Sequence, residues 1–413
     1  MAQSNIVLGL DIGTTKIAAC AGHYAEGGIE ILSMTKTPNA GLRRGQVVDV
    51  EETVSSISAV LEEVERTAGQ PLKNAIVGLG GAQVESIASK GVIAVSRPDG
   101  EITAQDVDRV IEAARAIAMP ANREIVHVLP KWFTVDAEDR IVDPVGMTGI
   151  RLEVEAHVVS CPSPAMKNAL RAVNQTGLEV DQLVFSPLAT AEVLLTKRQR
   201  ESGVVLIDIG AGTTGVVVYE EGDLVHAAVL PVGSMHITND IAIGLKTSID
   251  LAEAIKIKYG TALKEDVRDI DTIDLTTIDP SELERPKLRY IAEIIEARLS
   301  ELFMMVNDEL RKIGKDGTLP AGAVFTGGGS QLHGLVEMAK QNLHLPAKLG
   351  RPITEFAGSV DKLDDPTYAT SVGLVLWGLQ GKTPHEPHAK SFSLDNVEGV
   401  VGKARDFFKQ LLP

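Results

Sequence analysis

Cysteine and aromatic residues are scarce in this sequence. Only Cys20 and Cys161 occur among the 413 residues, and aromatic residues make up 4% of the chain. Two thiols are too few for a disulfide framework, so we expect both to be reduced and to serve as small apolar residues. This composition predicts a cytoplasmic protein.

Long apolar runs and an excess of positive charge are also missing. The apolar run that begins at Ile6 ends at Asp11, and no stretch approaches the roughly 20 apolar residues that a membrane-spanning helix needs. The first residues lack the positive flank of a signal peptide. The formal net charge is −16, which would repel nucleic-acid phosphates. We therefore expect no nucleic-acid partner, and any membrane contact should be peripheral.

What the sequence does contain is enough apolar material for two or more domains. It is 44% hydrophobic and 23% charged, which is typical of globular proteins. Its length exceeds one ordinary hydrophobic core. Apolar residues recur at helical spacing over residues 51–67, 164–175 and 287–313. Because these helices alternate with short runs of strand type, we expect the α/β class.

One short pattern occurs twice. Asp-Ile-Gly stands at residues 11–13 and again at 208–210, each time between two short apolar runs, and a turn and a third run follow. The repeat predicts a duplicated fold in which each half is a sheet with covering helices, around a nucleotide cleft. Residues 84–160, with a helix predicted over 103–118, are interpreted as an inserted subdomain.

The glycine-rich residues 210–215 formally match the dinucleotide-binding pattern G-x-G-x-x-G. That pattern requires a helix next, whose N-terminus faces the pyrophosphate. Here the β-branched residues 216–219 follow, so we exclude a Rossmann site. The P-loop pattern is absent from the sequence as well.

The two repeats are instead interpreted as phosphate-binding β-hairpins. Small residues let backbone N–H groups and hydroxyls approach phosphate oxygens. We expect Mg²⁺, held through water, between Asp11 and Asp208, with Lys16 as a further positive charge. Two ordinary tight hairpins are the alternative, but the duplicated Asp favours phosphate binding. The candidates are Asp11, Gly13, Thr14, Thr15 and Lys16 in the first hairpin and Asp208, Gly210, Gly212, Thr213 and Thr214 in the second.

A third glycine cluster lies between a predicted strand at 323–325 and a helix predicted to begin near Gln331. Its residues are Thr326, Gly327, Gly328, Gly329 and Ser330. Consecutive glycines permit close approach of the backbone to a flat ring or a sugar. Taken alone the cluster is also typical of a strand-to-helix turn, but with both hairpins it completes a nucleotide site.

These motifs together carry a family resemblance. Asp-Ile-Gly-Thr-Thr-Lys, Asp-Ile-Gly-Ala-Gly-Thr-Thr and Thr-Gly-Gly-Gly-Ser resemble the two phosphate loops and the adenosine loop of the ATPase superfamily that includes actin, heat-shock chaperones and sugar kinases. More narrowly, residues 231–246 and 252–260 resemble the FtsA family of bacterial cell-division proteins. That resemblance extends over essentially the whole chain.

The resemblance implies an actin-like protein that binds ATP and Mg²⁺ between its halves and polymerises into filaments. It also implies binding to the C-terminal peptide of the tubulin-like protein FtsZ, attachment to the inner face of the cytoplasmic membrane at the division site, and contacts with other division proteins. Matched residue by residue, it assigns Asp11 to Lys16 and Asp208 to Thr214 to the phosphates, Gly327 to Ser330 to adenosine, and Glu253 and Lys256 to the opposite side of the nucleotide.

The resemblance also implies a division of the chain into subdomains. The first-half core is expected from residues 1–83, 163–198 and 359–380, with 84–162 as the inserted subdomain in place of the usual actin subdomain. The second-half core is expected from 199–230 and 300–358, and its small subdomain, where the FtsZ peptide would bind, from 231–299. Residues 381–396 are expected to be a flexible linker and 397–413 an amphipathic helix.

Two departures from the superfamily pattern bear on hydrolysis. Many of these ATPases carry Glu before a Pro ahead of the second phosphate loop, where it positions the attacking water; this chain has Ser186-Pro187. Ala211 also replaces the usual middle glycine of that loop. Glu192 is interpreted as a solvated or capping carboxylate. We leave the catalytic residue unassigned and expect slow or negligible hydrolysis.

The end of the chain has an apolar stripe at helical spacing, with positive residues off the stripe. We expect it to bind an anionic membrane surface reversibly, after a linker that contains Pro384 and Pro387. Docking of this helix on its own domain is the alternative. The candidate membrane residues are Val400, Val401, Lys403, Arg405, Phe407, Phe408, Lys409, Leu411 and Leu412.

Three other members of the superfamily compete with this interpretation. A small-molecule kinase would need a catalytic carboxylate and leaves the terminal helix unexplained. A PilM-like pilus-assembly protein would share the core and the insert but generally lacks the amphipathic tail. A heat-shock chaperone needs a substrate domain after the ATPase, for which we expect too few residues after Gly381.

Overall fold

Three larger β-sheets and their covering helices organise the part of the chain that the structure describes, residues 6–116 and 120–381 of a computed structural model. The strands are β1 (Val7–Ile12), β2 (Lys16–Ala25), β3 (Gly28–Pro38), β4 (Leu42–Arg43), β5 (Gln46–Val47), β6 (Asn74–Leu79), β7 (Glu85–Ala94), β8 (Arg123–Val135), β9 (Glu138–Ile141), β10 (Arg151–Pro162), β11 (Glu179–Phe185), β12 (Val204–Ile209), β13 (Thr214–Glu220), β14 (Asp223–Leu230), β15 (Ala323–Thr326), β16 (Ala347–Leu349) and β17 (Phe356–Gly358). The helices are α1 (Val50–Ala68), α2 (Ala104–Arg115), α3 (Ser163–Asn174), α4 (Ser186–Leu194), α5 (Lys197–Ser202), α6 (Ser234–Leu245), α7 (Ile249–Tyr259), α8 (Leu288–Lys312), α9 (Leu335–Leu343) and α10 (Ala369–Leu379).

The first sheet has six strands in the order β11-β6-β1-β2-β3-β17. Strands β1, β2 and β3 form an antiparallel meander, and β6 lies parallel to β1. Because side chains alternate between the faces of a strand, Ile17 and Ala19 pack toward α1, whereas Ala18 and Cys20 pack toward α10. Both faces of this sheet are therefore buried.

The second sheet repeats this plan with five strands in the order β14-β13-β12-β15-β16. Strands β12, β13 and β14 form the antiparallel meander, and β15 lies parallel to β12 as β6 does to β1. Val205 and Ile207 pack against α8, whereas Leu206 faces the core that contains α4. The predicted duplication of a sheet with covering helices is confirmed.

The inserted segment forms a separate four-stranded sheet in the order β7-β10-β8-β9. Helix α2 covers one face and buries Val107, Val110 and Ala114. Helix and sheet approach closely at Gly91, because a Cβ there would overlap the backbone of Val110. The predicted inserted α+β unit is thus present, whereas the exact subdomain boundaries stay predictions.

The helix bounds follow the local sequence. Helix α1 begins after Asp49, whose side chain accepts a hydrogen bond from the Glu52 N–H, and ends at Gly69, which adopts the left-handed conformation with φ +74°. The helix predicted to begin near Gln331 begins instead at Leu335, because residues Gly328–Gln331 form a 3₁₀ turn. That turn keeps the glycine cluster out of regular helix.

The predictions for the cysteines can be compared with the structure, whereas those for the terminal residues cannot. Both cysteines are free and buried, in keeping with their interpretation as apolar residues. None of the described helices is long and apolar enough to span a bilayer. The predicted linker beyond Gly381 and the terminal helix, with all nine candidate membrane residues, lie outside the described residues.

Candidate functional site

A cavity of about 770 Å³ lies between the two repeated halves. Residues of both hairpin loops, of α7 and of the third glycine cluster line it together. Thirteen of the sequence-predicted residues are among its walls: Asp11, Gly13, Thr14, Thr15, Lys16, Asp208, Gly210, Thr213, Glu253, Lys256, Gly327, Gly328 and Gly329. The topology therefore brings together segments that are more than 300 residues apart in the chain.

The first hairpin loop is a tight connection between β1 and β2. The Gly13 N–H donates to the Lys16 carbonyl at 2.9 Å, and the Asn39 side chain donates to the Gly13 carbonyl at 2.8 Å. A Cβ on Gly13 would stand 2.8 Å from the Lys16 oxygen, so glycine is required for this close turn. The hydrogen bonds hold the loop on the cavity wall.

The second hairpin loop has the same internal bond. The Gly210 N–H donates to the Thr213 carbonyl at 2.9 Å. The loop carbonyls of Gly210 and Ala211 accept the N–H groups of Ser234 and Met235, each at 2.9 Å. Because these donors lie at the start of α6, that helix and the second loop are held as one unit.

Three of the predicted site residues do not line the cavity and instead make contacts that hold the loops in position. A Cβ on Gly212 would stand 2.7 Å from Thr14 Oγ1, so this glycine permits contact between the two loops. The buried Thr214 hydroxyl donates to the Val232 carbonyl at 2.8 Å. The buried Ser330 hydroxyl donates to the Gly327 carbonyl at 2.7 Å.

A small hairpin that the sequence reasoning missed adjoins both loops. Strands β4 and β5 are joined by Arg44 and Gly45, which have φ of +50° and +73°. The Gly45 N–H donates to Thr14 Oγ1 at 3.1 Å. A Cβ on Gly212 would lie 3.1 Å from the Arg44 Cα. Only the tertiary structure places this hairpin beside the second loop, since the two segments are far apart in sequence.

The two repeated aspartates differ in their partners. Lys16 Nζ lies 3.2 Å from Asp11 Oδ2. Burial, and then repulsion from Asp11, raise the pKa of Asp208 to about 6, against the opposing effects of Lys16 and of a hydrogen bond from Thr370. No group of three or more ligating side chains occurs among the described residues. Two carboxylates on one cavity suit Mg²⁺, which keeps several waters and takes few protein ligands.

Lys256 is already fully engaged on the far side of the cavity. Its Nζ donates to Glu253 Oε2 at 2.6 Å, to Thr238 Oγ1 at 2.8 Å and to the Ser234 carbonyl at 3.3 Å. An ammonium has three donors, so Lys256 connects α6 with α7 here. Its predicted contact with a nucleotide stays a prediction that would require one of these bonds to change.

The third glycine cluster packs directly against Asp208. Gly327 has φ +81°, and a Cβ there would overlap Asp208 Oδ1 and the Ile209 carbonyl. Gly329 faces the Ile209 side chain in the same manner. These glycines therefore allow the end of β15 to approach the end of β12.

The departures from the superfamily pattern are visible at the first turn of α4. Ser186 and Pro187 line the cavity, so no carboxylate occupies that position. Glu192 does not line it. Instead Glu192 accepts a hydrogen bond from Arg200 at 2.9 Å, with both side chains largely buried. Glu192 is therefore a paired carboxylate rather than a solvated one, and its interpretation as a capping carboxylate stays a prediction.

Several cavity residues had no motif that could reveal them. Gly45, Gly80 and Thr370 line the cavity at isolated positions in the chain. Each is brought there by the crossing of helices or by loop packing. Pattern reasoning detects repeated or clustered residues, and these are neither.

The repeated halves around one cavity define an actin-like ATPase fold, and solved structures share it. PilM in the PilM–PilN type IV pilus biogenesis complex aligns with a TM-score of 0.66 at 19% identity, covering 90% of this chain and 98% of that one. MreB5 of Spiroplasma citri bound to ADP aligns with a TM-score of 0.54 at 14% identity, covering 93% and 99%. At these identities the likeness concerns the fold.

Sequence relatives define the family more narrowly. The model of cell division protein FtsA matches residues 205–373, and that of the SHS2 domain inserted in FtsA matches residues 81–160. Cell division protein FtsA of Pseudomonas aeruginosa is 40% identical over 382 residues, covering 92% of this chain and 90% of that protein. The FtsA protein of Bacillus subtilis is 36% identical, covering 92% and 85%. The chain belongs to the FtsA family of cell-division proteins.

Proposed function

We propose that this chain binds ATP with Mg²⁺ in the cavity between its halves, polymerises at the inner face of the cytoplasmic membrane, and attaches FtsZ to that surface. The observation that carries the nucleotide part is the convergence of both hairpin loops and the third glycine cluster on one cavity. The family membership supports the role in division.

Each part of the cavity has a chemical task in this proposal. The hydroxyls of Thr14, Thr15 and Thr213 would donate hydrogen bonds to phosphate oxygens, and the small residues Gly13 and Gly210 would let the loops approach the phosphates. Lys16 would add a positive charge. Asp11 and Asp208 would hold Mg²⁺ through water, and the ion would supply neutralisation of phosphate charge.

Slow hydrolysis is part of the same proposal. Ser186 stands at the position where a carboxylate would orient the attacking water, and Glu192 is paired with Arg200 away from the cavity. A serine hydroxyl is a poor general base at neutral pH. We therefore expect binding to be retained while turnover stays far below that of a metabolic kinase.

The FtsZ contact is proposed for the helical region between residues 231 and 299. Apolar side chains are exposed there: Ile243 on α6 is 76% exposed and Ile257 on α7 is 75% exposed. Exposed large apolar side chains are candidates for a binding surface, although Ile257 also lines the nucleotide cavity. This assignment rests on the family and on those exposures.

The membrane contact is proposed for the terminal residues on their sequence pattern. One copy of such a helix would bind marginally and reversibly, because about 1.5–3 kcal/mol per fully buried large side chain is opposed by ordering of the helix. A filament would multiply the anchors through effective concentration. Assembly and membrane attachment should therefore be coupled.

A PilM-like function is the second candidate, favoured by the high structural similarity to PilM. That likeness carries the fold, whereas the relatives at 36–40% identity belong to FtsA. A small-molecule kinase has no carboxylate at Ser186 to support it. The two surviving proposals differ in whether the terminal residues bind membrane.

The test is co-sedimentation with anionic liposomes, with and without Mg-ATP. We expect ATP to enhance binding of the full chain, and the Phe407→Glu, Phe408→Glu double variant to lose it. Phe392→Glu, a single Phe→Glu change outside the apolar stripe, is the control and should bind like the full chain. Equal sedimentation of the double variant and the full chain, or absence of binding by both, would favour the pilus-type function.

A further inference from the structure

Two buried threonines lie in line with Asp208 where helices α4 and α10 cross. The hydroxyl oxygens of Thr190 and Thr370 are 2.9 Å apart. Thr190 Oγ1 also lies 2.9 Å from the Ser186 carbonyl, and Thr370 Oγ1 lies 3.4 Å from Asp208 Oδ2. Thr190 is 0% exposed and Thr370 is 7% exposed, so water has little access to these contacts.

The helix crossing that holds this row of oxygens is close. A Cβ on Gly373 of α10 would overlap the Ala189 carbonyl of α4. Helix α10 packs on the first sheet, whereas Asp208 lies in β12 of the second sheet. The threonine pair therefore connects the helix crossing to the candidate metal-binding carboxylate.

The number of hydrogens in the row is smaller than the number of contacts. Each threonine hydroxyl carries one hydrogen, whereas the Ser186 carbonyl and an ionised Asp208 only accept. Two hydrogens cannot satisfy three contacts, so one contact is always without a hydrogen. The contact without a hydrogen can be any of the three: both hydroxyls point toward Ser186, both point toward Asp208, or they point outward to Ser186 and Asp208 and leave the contact between them without a hydrogen.

Asp208 lacks a side-chain donor only in the arrangement in which both hydroxyls point toward Ser186 and Thr370 donates to Thr190. Among the described residues, Thr370 is the side chain that donates to this carboxylate. Ser186 depends less on the threonine pair, because a carbonyl in the first turn of a helix also accepts the backbone N–H four residues on. A hydrogen bond to a charged oxygen is stronger than one to a neutral carbonyl. The Thr370 hydroxyl should therefore donate its hydrogen to an ionised Asp208 rather than to Thr190.

We propose that Thr370 is a positioning residue that orients the Asp208 carboxylate for Mg²⁺ in the nucleotide complex, with Thr190 as the competing acceptor of its hydrogen. This inference rests on the proposed nucleotide function. Thr370 touches neither the nucleotide nor the ion in this role. It acts by holding Asp208 Oδ2 while Oδ1 lies beside Gly327, so that the rotation of the carboxylate is fixed.

The experiment measures ATP affinity of the full chain in Mg²⁺ and in EDTA, for wild type, for Thr→Val variants of similar volume and for Thr370→Ser. Thr370→Val keeps the shape and removes the donor, so the gain in affinity that Mg²⁺ provides should fall about 3- to 10-fold. Affinity in EDTA should stay within about twofold of wild type. Thr370→Ser restores a hydroxyl and should recover the gain.

Thr190→Val is the matched control, because it makes the same change in the same buried row. It removes the competing acceptor, so Thr370 is left with Asp208 and the Mg²⁺ gain should persist. If both threonines served packing alone, the two valine variants would change affinity alike in Mg²⁺ and in EDTA. If Thr370→Val fails to fold, comparison of Thr370→Ala with Thr370→Ser tests the same donor.

The outcomes separate this inference from the function on which it rests. A wild-type Mg²⁺ gain that Thr370→Val retains in full, or that Thr190→Val loses equally, overturns the positioning role and leaves nucleotide binding standing. A wild-type chain that binds no ATP in Mg²⁺ overturns the proposed function and this inference with it.

Discussion

The two halves of the molecule place the same residue at the same point of the same hairpin, yet they surround it differently. Asp11 lies near the end of β1 and pairs with Lys16, the first residue of β2. Asp208 follows the equivalent course in β12, but its loop continues Gly-Ala-Gly-Thr-Thr and contains no cation. The contacts of the Asp208 side chain therefore come from other segments of the chain, chiefly from Thr370 and from the glycine cluster at residues 327–329.

The two hairpins therefore share the same backbone turn but differ in the charged side chains around the aspartate. Both loops repeat the N–H to carbonyl bond that closes the turn. The first half supplies the positive charge of Lys16, and the second half supplies Asp208, a buried carboxylate without a cation in its own loop. A site built from two unequal halves can attract phosphate on one side and retain a hydrated cation on the other.

The largest expected effect comes from the glycine that packs on Asp208. Gly327→Ala should lower the free energy of unfolding by about 2–4 kcal/mol and remove detectable ATP binding, because the new methyl overlaps Asp208 and Ile209 and the residue must adopt positive φ. Urea unfolding and ATP titration measure this. Gly80→Ala is the control from the first half, since its nearest neighbour, Ser186 Oγ, would be 3.5 Å away. Equal losses in both variants would contradict the asymmetry.

The next effect comes from the cation that only the first loop carries. Lys16→Gln should weaken ATP binding about 10- to 100-fold, because it removes a charge-assisted contact of about 1.5–3 kcal/mol. Lys90→Gln makes the same change on the inserted sheet, where Lys90 pairs with Glu155, and should alter affinity by less than about twofold. Isothermal titration in Mg²⁺ compares the two. If Lys16→Gln bound ATP with wild-type affinity, the charge of Lys16 would not contribute to binding, and the proposed difference between the two loops would be contradicted.

The smallest effect concerns the pH dependence of stability. The pKa of Asp208 is raised to about 6, so the folded chain holds this proton more tightly than the unfolded chain does. Stability from this group is full below the unfolded pKa and is lost as pH rises toward 6. Asp208→Asn should therefore gain stability relative to wild type as the pH rises from about 4 to 6, by about 1–2 kcal/mol. Urea unfolding in EDTA without nucleotide measures it.

The Asp11→Asn variant sharpens that measurement. Repulsion from Asp11 is the second cause of the raised Asp208 pKa. Removing this repulsion should lower the Asp208 pKa. In the Asp11→Asn background, the free energy of unfolding with and without Asp208→Asn should therefore differ over a narrower pH range. If the divergence is unchanged, burial alone sets the pKa, and the two carboxylates act independently.

Much of the fold follows from local sequence. The alternation of apolar residues in the two meanders predicts strands with buried faces, and Gly13 and Gly210 stand where each hairpin must turn tightly. The β-branched residues after the second loop exclude a Rossmann helix, and β13 occupies that place. Local rules failed at Gln331, because packing of the glycines on Ile209 overrides the start of the next helix.

The site divides in the same manner. The sequence by itself determined which residues repeat, where glycine is needed for close turns, and that Lys16 breaks the symmetry of the two loops. Only the tertiary structure decided that Thr370 faces Asp208, that Lys256 is engaged by Glu253 and Thr238, and that Glu192 is paired with Arg200. The reason is physical: spacing along the chain determines turns and faces of helices and strands, whereas the partner of a buried polar group depends on which distant elements pack together.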